Sequence, residues 1–343
     1  MNPFEPQSGQ QQGGQNATLY HVLHDTDYSY QRNVNLSQQL LHMTPRDFNY
    51  QSTLSHRITI DPPPNDGSGR INYFGNLSQR ITITRPHQLL RVRAESVIKL
   101  LPRLNLAQIN DSMPWEMKRD SLEQCSAATS REISQYLYES PHVLCSPELA
   151  AYAAPSFTPG RPLLDATLDL TYRIFNDFKF DGSATTISTP LSEVLRLRRG
   201  VCQDFAHLMI GCLRTLGLAC RYISGYILTT PAPGHERLIG ADASHAWVSV
   251  YCAGFGWVDF DPTNHCLVQD EHITVGWGRD FSDVTPMRGV ILGGGEQKLQ
   301  VSVTVTPLPP DYQVQSGLSG MQIASGNGFN QPGQSQSQSQ SQY

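Results

Sequence analysis

A cysteine, a histidine and an aspartate follow one another along the chain in settings that could build a thiol nucleophile. Cys202 lies in Val201-Cys202-Gln203-Asp204-Phe205-Ala206-His207, His245 in Ser244-His245-Ala246-Trp247-Val248, and Asp261 in Phe260-Asp261-Pro262-Thr263-Asn264. A neutral thiol attacks carbonyls poorly. It becomes effective when an imidazole takes its proton and a carboxylate holds that imidazole in the right tautomer. The plain alternative is a core cysteine, a cap-like Asp204 and an interior histidine held by hydrogen bonds.

The elements around these residues decide whether they can meet. Leu191 to Leu197 has helical spacing, Arg198-Arg199-Gly200 interrupts it, and Cys202 to Leu216 resumes it until Gly217. Cys202 therefore falls in the first turn of a helix, where unpaired N–H groups and the positive dipole end favour a thiolate and could hold an oxyanion. The sequence names no second oxyanion donor. His245 begins a strand with Trp247, Ser249 and Tyr251 on its own face, and the next strand carries Trp257, Asp259 and Asp261 on one face. If Tyr251 pairs with Trp257, Ser249 lies opposite Asp259 and Trp247 opposite Asp261, which places Asp261 diagonal to His245. A slip of one residue would turn both aspartates to the wrong face. Asp261 is the favoured orienting carboxylate, and Asp259 is expected behind it or at the surface.

Elsewhere the pattern divides the chain. Residues 1–17 and 309–343 are rich in Gln, Gly and Ser and are expected to be disordered tails. Residues 18–102 alternate apolar with polar side chains, as in Arg57-Ile58-Thr59-Ile60, Arg80-Ile81-Thr82-Ile83-Thr84 and Leu90-Arg91-Val92-Arg93-Ala94. Pro62-Pro63-Pro64-Asn65-Asp66-Gly67 and Phe74-Gly75-Asn76 punctuate the runs as turns, and the economical reading is an antiparallel β-sandwich. Residues 103–308 read as an α+β unit. Helices over Ser121 to Tyr138 and Leu163 to Phe178 come first, the latter with Leu164, Leu168, Tyr172 and Phe175 on one face. Strands follow at Arg221 to Leu228, Ala246 to Tyr251, Gly256 to Phe260 and Lys298 to Val305.

Composition narrows the partners. The chain has 343 residues, 16% charged, with a formal charge of −5, which disfavours nucleic acid and anionic membrane as partners. The start lacks a basic, apolar secretory pattern and no long apolar run occurs, so a cytoplasmic protein is expected. Its 7 cysteines are an odd number with no CxxC pair, which suits free thiols in a reducing compartment. His265 and Cys266 have no zinc-like spacing, so neither a metal nor another cofactor is expected.

The chain resembles the transglutaminase-like superfamily. The matching motifs are Arg199-Gly200-Val201-Cys202-Gln203-Asp204-Phe205-Ala206, the run from Leu218 to Tyr226, Asp242-Ala243-Ser244-His245-Ala246-Trp247-Val248 and Gly256-Trp257-Val258-Asp259-Phe260-Asp261-Pro262-Thr263-Asn264. His24 to Tyr30, Pro45-Arg46, Phe74-Gly75-Asn76, Pro86-His87 and the segment from Gly278 to Val290 are similar to a bacterial branch described as transglutaminase-like cysteine proteases. The resemblance implies a papain-like core with Cys202 as nucleophile, His245 as base and Asp261 as orienting carboxylate. It implies a thioester formed from a protein or peptide substrate. Resolution by water is favoured, because the branch is protease-described and no calcium-loop pattern is visible. The alternatives are a protein-glutamine transglutaminase and a non-catalytic binding module. Asp204 and His207 are expected to pack or orient the helix, Asp242 to sit in a loop, and Arg279 with Asp280 to line the cleft entrance or form a surface ion pair.

Overall fold

The computed structural model describes residues 17–103, 106–117, 128–229 and 244–313, so Asp242, residues 1–16 of the first tail and residues 314–343 of the second lie outside the described residues. The first strand, β1 (Thr18–Leu41), is 24 residues long and organises everything at the N-terminal end. It is followed by β2 (Gln51–Asp61), β3 (Asp66–Ile71), β4 (Leu77–Ile83) and β5 (His87–Leu100). Early in β1, residues 20, 22, 24, 26, 28 and 30 are all buried, the period-two signature of a strand with one covered face. The pairing of β1 with β5 shifts register between Ser29 and Val34, after which β1 pairs with β4 through Ser37 to Leu41. A strand that serves two half-sheets lets them pack face to face. Ile58, Ile60, Leu90 and Val92 from one half share a buried cluster with Leu41, Ile81 and Ile83 from the other.

The far edge of β1 is taken by the end of the chain. The strands β13 (Met287–Gly293) and β14 (Gln297–Leu308) pair antiparallel with its second and first halves. The stretch Lys298 to Val305, expected in the sheet of the second unit, is therefore part of the first sheet, and residues 287–308 leave the unit 103–308. A long strand left with a bare row of N–H and C=O groups needs partners along its whole length, and β14 and β13 together supply them.

The second unit is built from α1 (Ala128–Ser134), α2 (Pro147–Ala153), α3 (Leu163–Asp177), the two-residue strands β6 (Lys179–Phe180) and β7 (Arg199–Gly200), α4 (Leu191–Leu197) and α5 (Cys202–Thr215). An antiparallel sheet follows from β8 (Cys220–Ile227), β9 (Ser244–Cys252), β10 (Gly256–Asp261), β11 (Cys266–Leu267) and β12 (His272–Gly278), ordered β11-β10-β9-β8-β12. The helix α5 is central: Phe205 to Leu213 are buried, and Leu208, Ile210 and Leu213 pack in one cluster with Ala246, Val248 and Val250 of β9. The fold is thus α+β, with an antiparallel N-terminal sheet and a helix-covered core. No helix among the described residues is long and apolar enough to cross a membrane.

The buried face of α3 is not the expected one. Leu164 is buried and Leu168 packs against the core as expected, but the face turns toward Leu163, Thr167, Leu170, Thr171 and Ile174, which are buried, whereas Tyr172 and Phe175 are exposed at 50% and 46%. Two threonines can face the core because each hydroxyl donates to the carbonyl one turn back, Thr167 to Leu163 at 2.7 Å and Thr171 to Thr167 at 2.8 Å. Their polar atoms are satisfied within the helix, which leaves methyl groups for packing.

The sheets meet along β12. Gln51 donates its amide to Thr274 O and accepts from Thr274 N–H, while Asn76 does the same for Trp277 O and N–H. These side chains close the backbone groups that a register shift between Thr274 and Gly276 exposes. Arg46 donates to Phe74 O and Asn76 Oδ1 and stacks 3.5 Å over Trp277. Gly75, at φ +78°, leaves room for that guanidinium, which a Cβ would meet at 2.6 Å.

Candidate active site

Cys202 opens α5 at the half-buried floor of a cleft. Two local features set its position. The chain enters through the parallel pair of β6 with β7, whose hydrogen bonding continues from Asp181 N–H to Gly200 O at 2.8 Å. Asp204 then folds back over the first turn, accepting from Val201 N–H at 2.8 Å and from the Thr185 hydroxyl at 2.6 Å. A Cβ at position 200 would lie 2.6 Å from that carboxylate, so glycine is required there. At the other end Gly217, at φ +73°, stops the helix as expected. The first-turn N–H groups stay available beside Cys202 Sγ, where an anion is stabilised.

His245 and Asp261 come together as strand parity anticipates. Trp257 pairs with Tyr251 and Asp259 with Ser249, and His245 Nε2 lies 2.7 Å from Asp261 Oδ2. Asp261 is fully buried and its oxygens also accept from Thr263 N–H, Asn264 N–H, the Asn264 amide and His272 Nε2. Burial works against its charge, but His245 and His272 outweigh it and hold the carboxyl well below the usual carboxylate range. Burial likewise opposes a charge on His245, yet the Asp261 carboxylate and a hydrogen bond to Cys202 raise it to about 10. With Nε2 given to Asp261, Nδ1 is the nitrogen that faces sulfur. The arrangement can hold a thiolate beside an imidazolium and pass one proton between sulfur and a substrate.

Asp259, two residues earlier on the same face, is engaged otherwise. It pairs with Arg103 at 2.5 Å and accepts from Trp247 Nε1 at 3.3 Å. The Arg221 guanidinium sits between Trp257 and Trp277 at 4.3 and 3.8 Å and adds positive charge nearby; burial lowers its own pKa to about 10. A buried carboxylate committed to an arginine is not free to orient an imidazole.

Sequence reasoning missed His272 and gave Asn264 no role. His272 heads a buried stretch of β12 that carries no motif; its alternation with Thr274 is the only signal. Its ring donates to Asp261 from Nε2 at 3.0 Å while burial lowers its pKa, so it acts as a neutral donor. His245, Asp261 and His272 form the one cluster among the described residues with three possible metal-ligand atoms mutually within 4.8 Å. The Asn264 amide, however, donates to the same Asp261 oxygen at 2.7 Å and stands 3.3 Å from His245 Nε2. Hydrogen bonds thus occupy the place of a cation.

Other residues singled out from the sequence fall elsewhere. His207 is buried, accepts from Phe281 N–H at 3.1 Å and is lowered by burial to about 3. Asp280 does not pair with Arg279. It is fully buried and caps the turn that begins at Phe281, while Arg279 binds Asp283 at 3.0 Å. The reason is local geometry: an Asp at the cap position satisfies the turn's free N–H groups, and the arginine reaches one turn onward. His265 turns outward against Tyr172 and Phe175, at 4.7 and 5.8 Å between ring centroids. Burial pushes the Cys266 thiol up to about 12.

A cleft of about 200 Å³ brings the two sheets together around Cys202 and His245. Ser224 and Ala246 form part of one side, and His24, Thr26 and Tyr28 of β1 with Leu299 and Val301 of β14 form the other.

The sequence and the fold match a known class. Residues 151–262 match the transglutaminase-like superfamily and residues 20–99 match the bacterial transglutaminase-like N-terminal region. The chain belongs to the transglutaminase-like superfamily, in the branch that carries that N-terminal region. An uncharacterized protein of Mycobacterium tuberculosis is 42% identical over 303 residues, covering 85% of this chain and 94% of the relative. One from Mycobacterium leprae is 28% identical over 294 residues, 84% of this chain and 98% of the relative. A solved structure described as a "Putative Cysteine Protease" from Cytophaga hutchinsonii superposes with a TM-score of 0.68 at 20% identity, covering 87% of this chain and 93% of that one. That last likeness establishes the shared fold.

Proposed function

We propose that the chain is a thiol hydrolase that forms a Cys202 thioester from a peptide or carboxamide and resolves it with water. The observation that carries this reading is that His245, held by Asp261 at 2.7 Å, lines the same cleft as Cys202, which starts a helix there. Cys202 Sγ bonds to the carbonyl carbon, and the carbonyl electron pair moves to oxygen beside the Cys202 backbone N–H. The oxyanion collapses, the C–N bond breaks, and His245 gives its Nδ1 proton to the departing amine. Neutral His245 then takes a proton from water, whose oxygen attacks the thioester and releases the acid. Asp261 stays ionised throughout and fixes the ring.

Hydrolysis is preferred to amine transfer on the naming of the structural relative and the bacterial N-terminal region. A reducing, cytoplasmic setting is supported by the six described cysteines, all of them free thiols. The deciding experiment incubates a peptide library with a labelled amine and compares wild type with Cys202→Ala. Cleavage or deamidation lost in the variant supports the hydrolase; amine incorporation lost in the variant makes the chain a transglutaminase. No Cys202-dependent product would leave a binding module on the same fold.

A further inference from the structure

The surface that β1 and β14 turn toward Cys202 lacks charge because of strand parity. The register sets Thr26 opposite Val301 and Tyr28 opposite Leu299, and opposed residues share a face, so these four side chains make one wall of the cleft together with His24. The intervening positions carry the charge away from the cleft: Asp25 pairs with Arg93 at 2.6 Å and Asp27 with Arg91 at 3.8 Å. His24 bonds Tyr226 Oη at 2.9 Å and Thr26 Oγ1 at 3.2 Å, and burial lowers it to about 4, so it is neutral. Asp204 is the one carboxylate among the described lining residues, and Val201 N–H and the Thr185 hydroxyl already occupy it. No lysine, arginine or glutamate is among those residues.

We propose that this wall determines specificity: Tyr28, Leu299 and Val301 receive an uncharged, apolar side chain flanking the carbonyl that Cys202 attacks. The inference rests on the reading of Cys202 as the acylated nucleophile. An apolar group gains by leaving water against these residues. A charged group seated against this wall would shed its hydration with no counter-charge among Tyr28, Leu299 and Val301 to meet it. The β-domain thereby acquires a direct role, as the half of the cleft that chooses the substrate.

Alkylating probes test this without a known substrate. N-benzyl-iodoacetamide, unsubstituted iodoacetamide, iodoacetyl-glycine and N-(2-aminoethyl)iodoacetamide present apolar, small, anionic and cationic groups in turn. In each case Cys202 sulfur displaces iodide and forms a thioether, which mass spectrometry of the Cys202 peptide quantifies. The expected benzyl-to-unsubstituted rate ratio is about ten or more, with both charged probes slower than the unsubstituted one. In Val301→Glu and in Leu299→Lys, each verified as folded by circular dichroism, the benzyl ratio should fall towards one; in Ser302→Glu, on the opposite face of β14, it should persist. Equal rates for all four probes, or a ratio that survives both wall substitutions or falls equally in Ser302→Glu, would overturn the proposal. Labelling no faster at Cys202 than at Cys212 or Cys252 would instead defeat the nucleophile itself.

Discussion

Two histidine–aspartate clusters lie buried in the same domain, and they end in opposite charge states. In one, His245 and His272 both reach Asp261, and His245 is raised to about 10. In the other, His207 stacks on His142 with 5.4 Å between ring centroids near Asp280, and burial takes His207 down to about 3. Burial is comparable, so burial does not decide. The difference is what the carboxylate is free to do. Asp280 spends its oxygens on His142 N–H, Ser282 N–H and the Ser282 hydroxyl, so His207 receives its field without a direct bond and serves as an acceptor for Phe281 N–H. Asp261 gives an oxygen directly to the imidazole, and direct contact in a dry site outweighs desolvation.

Substitutions can break this contrast. The largest effect is expected from Asp261→Asn, which should lower kcat on the order of 10²–10⁴-fold. Because the Asp261 charge is one cause that raises His245, the alkaline limb of the kcat/KM profile should also move down from about 10; a pH–rate series checks both. Asp280→Asn should cost about 1–3 kcal/mol in urea unfolding, since a buried acceptor is lost, and should leave the alkaline limb in place. An equal limb shift in both variants would erase the distinction between the clusters. His272→Phe removes one charge-assisted donor from Asp261 and should lower kcat about tenfold with KM little changed. The last effect concerns stability against pH. His207 is neutral when folded but titrates near 6.5 when unfolded, so the unfolded state binds the extra proton and stability falls as pH drops from 6.5 towards about 3. His207→Gln should flatten that slope by at most about 1.4 kcal/mol per pH unit, measured by unfolding between pH 4 and 7. For His245 the sign is reversed: its contribution is complete below 6.5 and disappears as pH rises through about 10.

The sequence exposed these clusters unequally. Cys202, the helix it starts and the parity of β9 with β10 were readable because each rests on local periodicity, and the register that pairs Tyr251 with Trp257 placed Asp261, rather than Asp259, diagonal to His245. His272 was not readable, since its role depends on β12 lying two strands away from β9 through β8, a relation no spacing encodes. Asp280 was read either as lining the cleft entrance or as half of an ion pair, because cap geometry is invisible until the turn exists. The buried threonines of α3 defeated a pattern that treats threonine as polar. β3, with the exposed sequence Asp66-Gly67-Ser68-Gly69-Arg70-Ile71, gave no alternation to find. The strand β14 was legible as a strand but not as a partner of β1, because the residues it pairs with lie more than 250 positions earlier.

That long-range closure gives the protein a timetable. At about 5–20 residues per second, tens of seconds separate synthesis of β1 from that of its last partner, and pairings so distant in sequence are slow to form. Cys202, His245 and Asp261 can all be in place before residues 297–308 exist, yet the wall carrying Leu299 and Val301 cannot. Cys202 is therefore enclosed only after β14 has been synthesised. Chains ended at residue 286 should lose protease resistance in the 18–41 segment, whereas chains that reach 308 should retain it. In this way the order of synthesis withholds a finished cleft until β14 has been made.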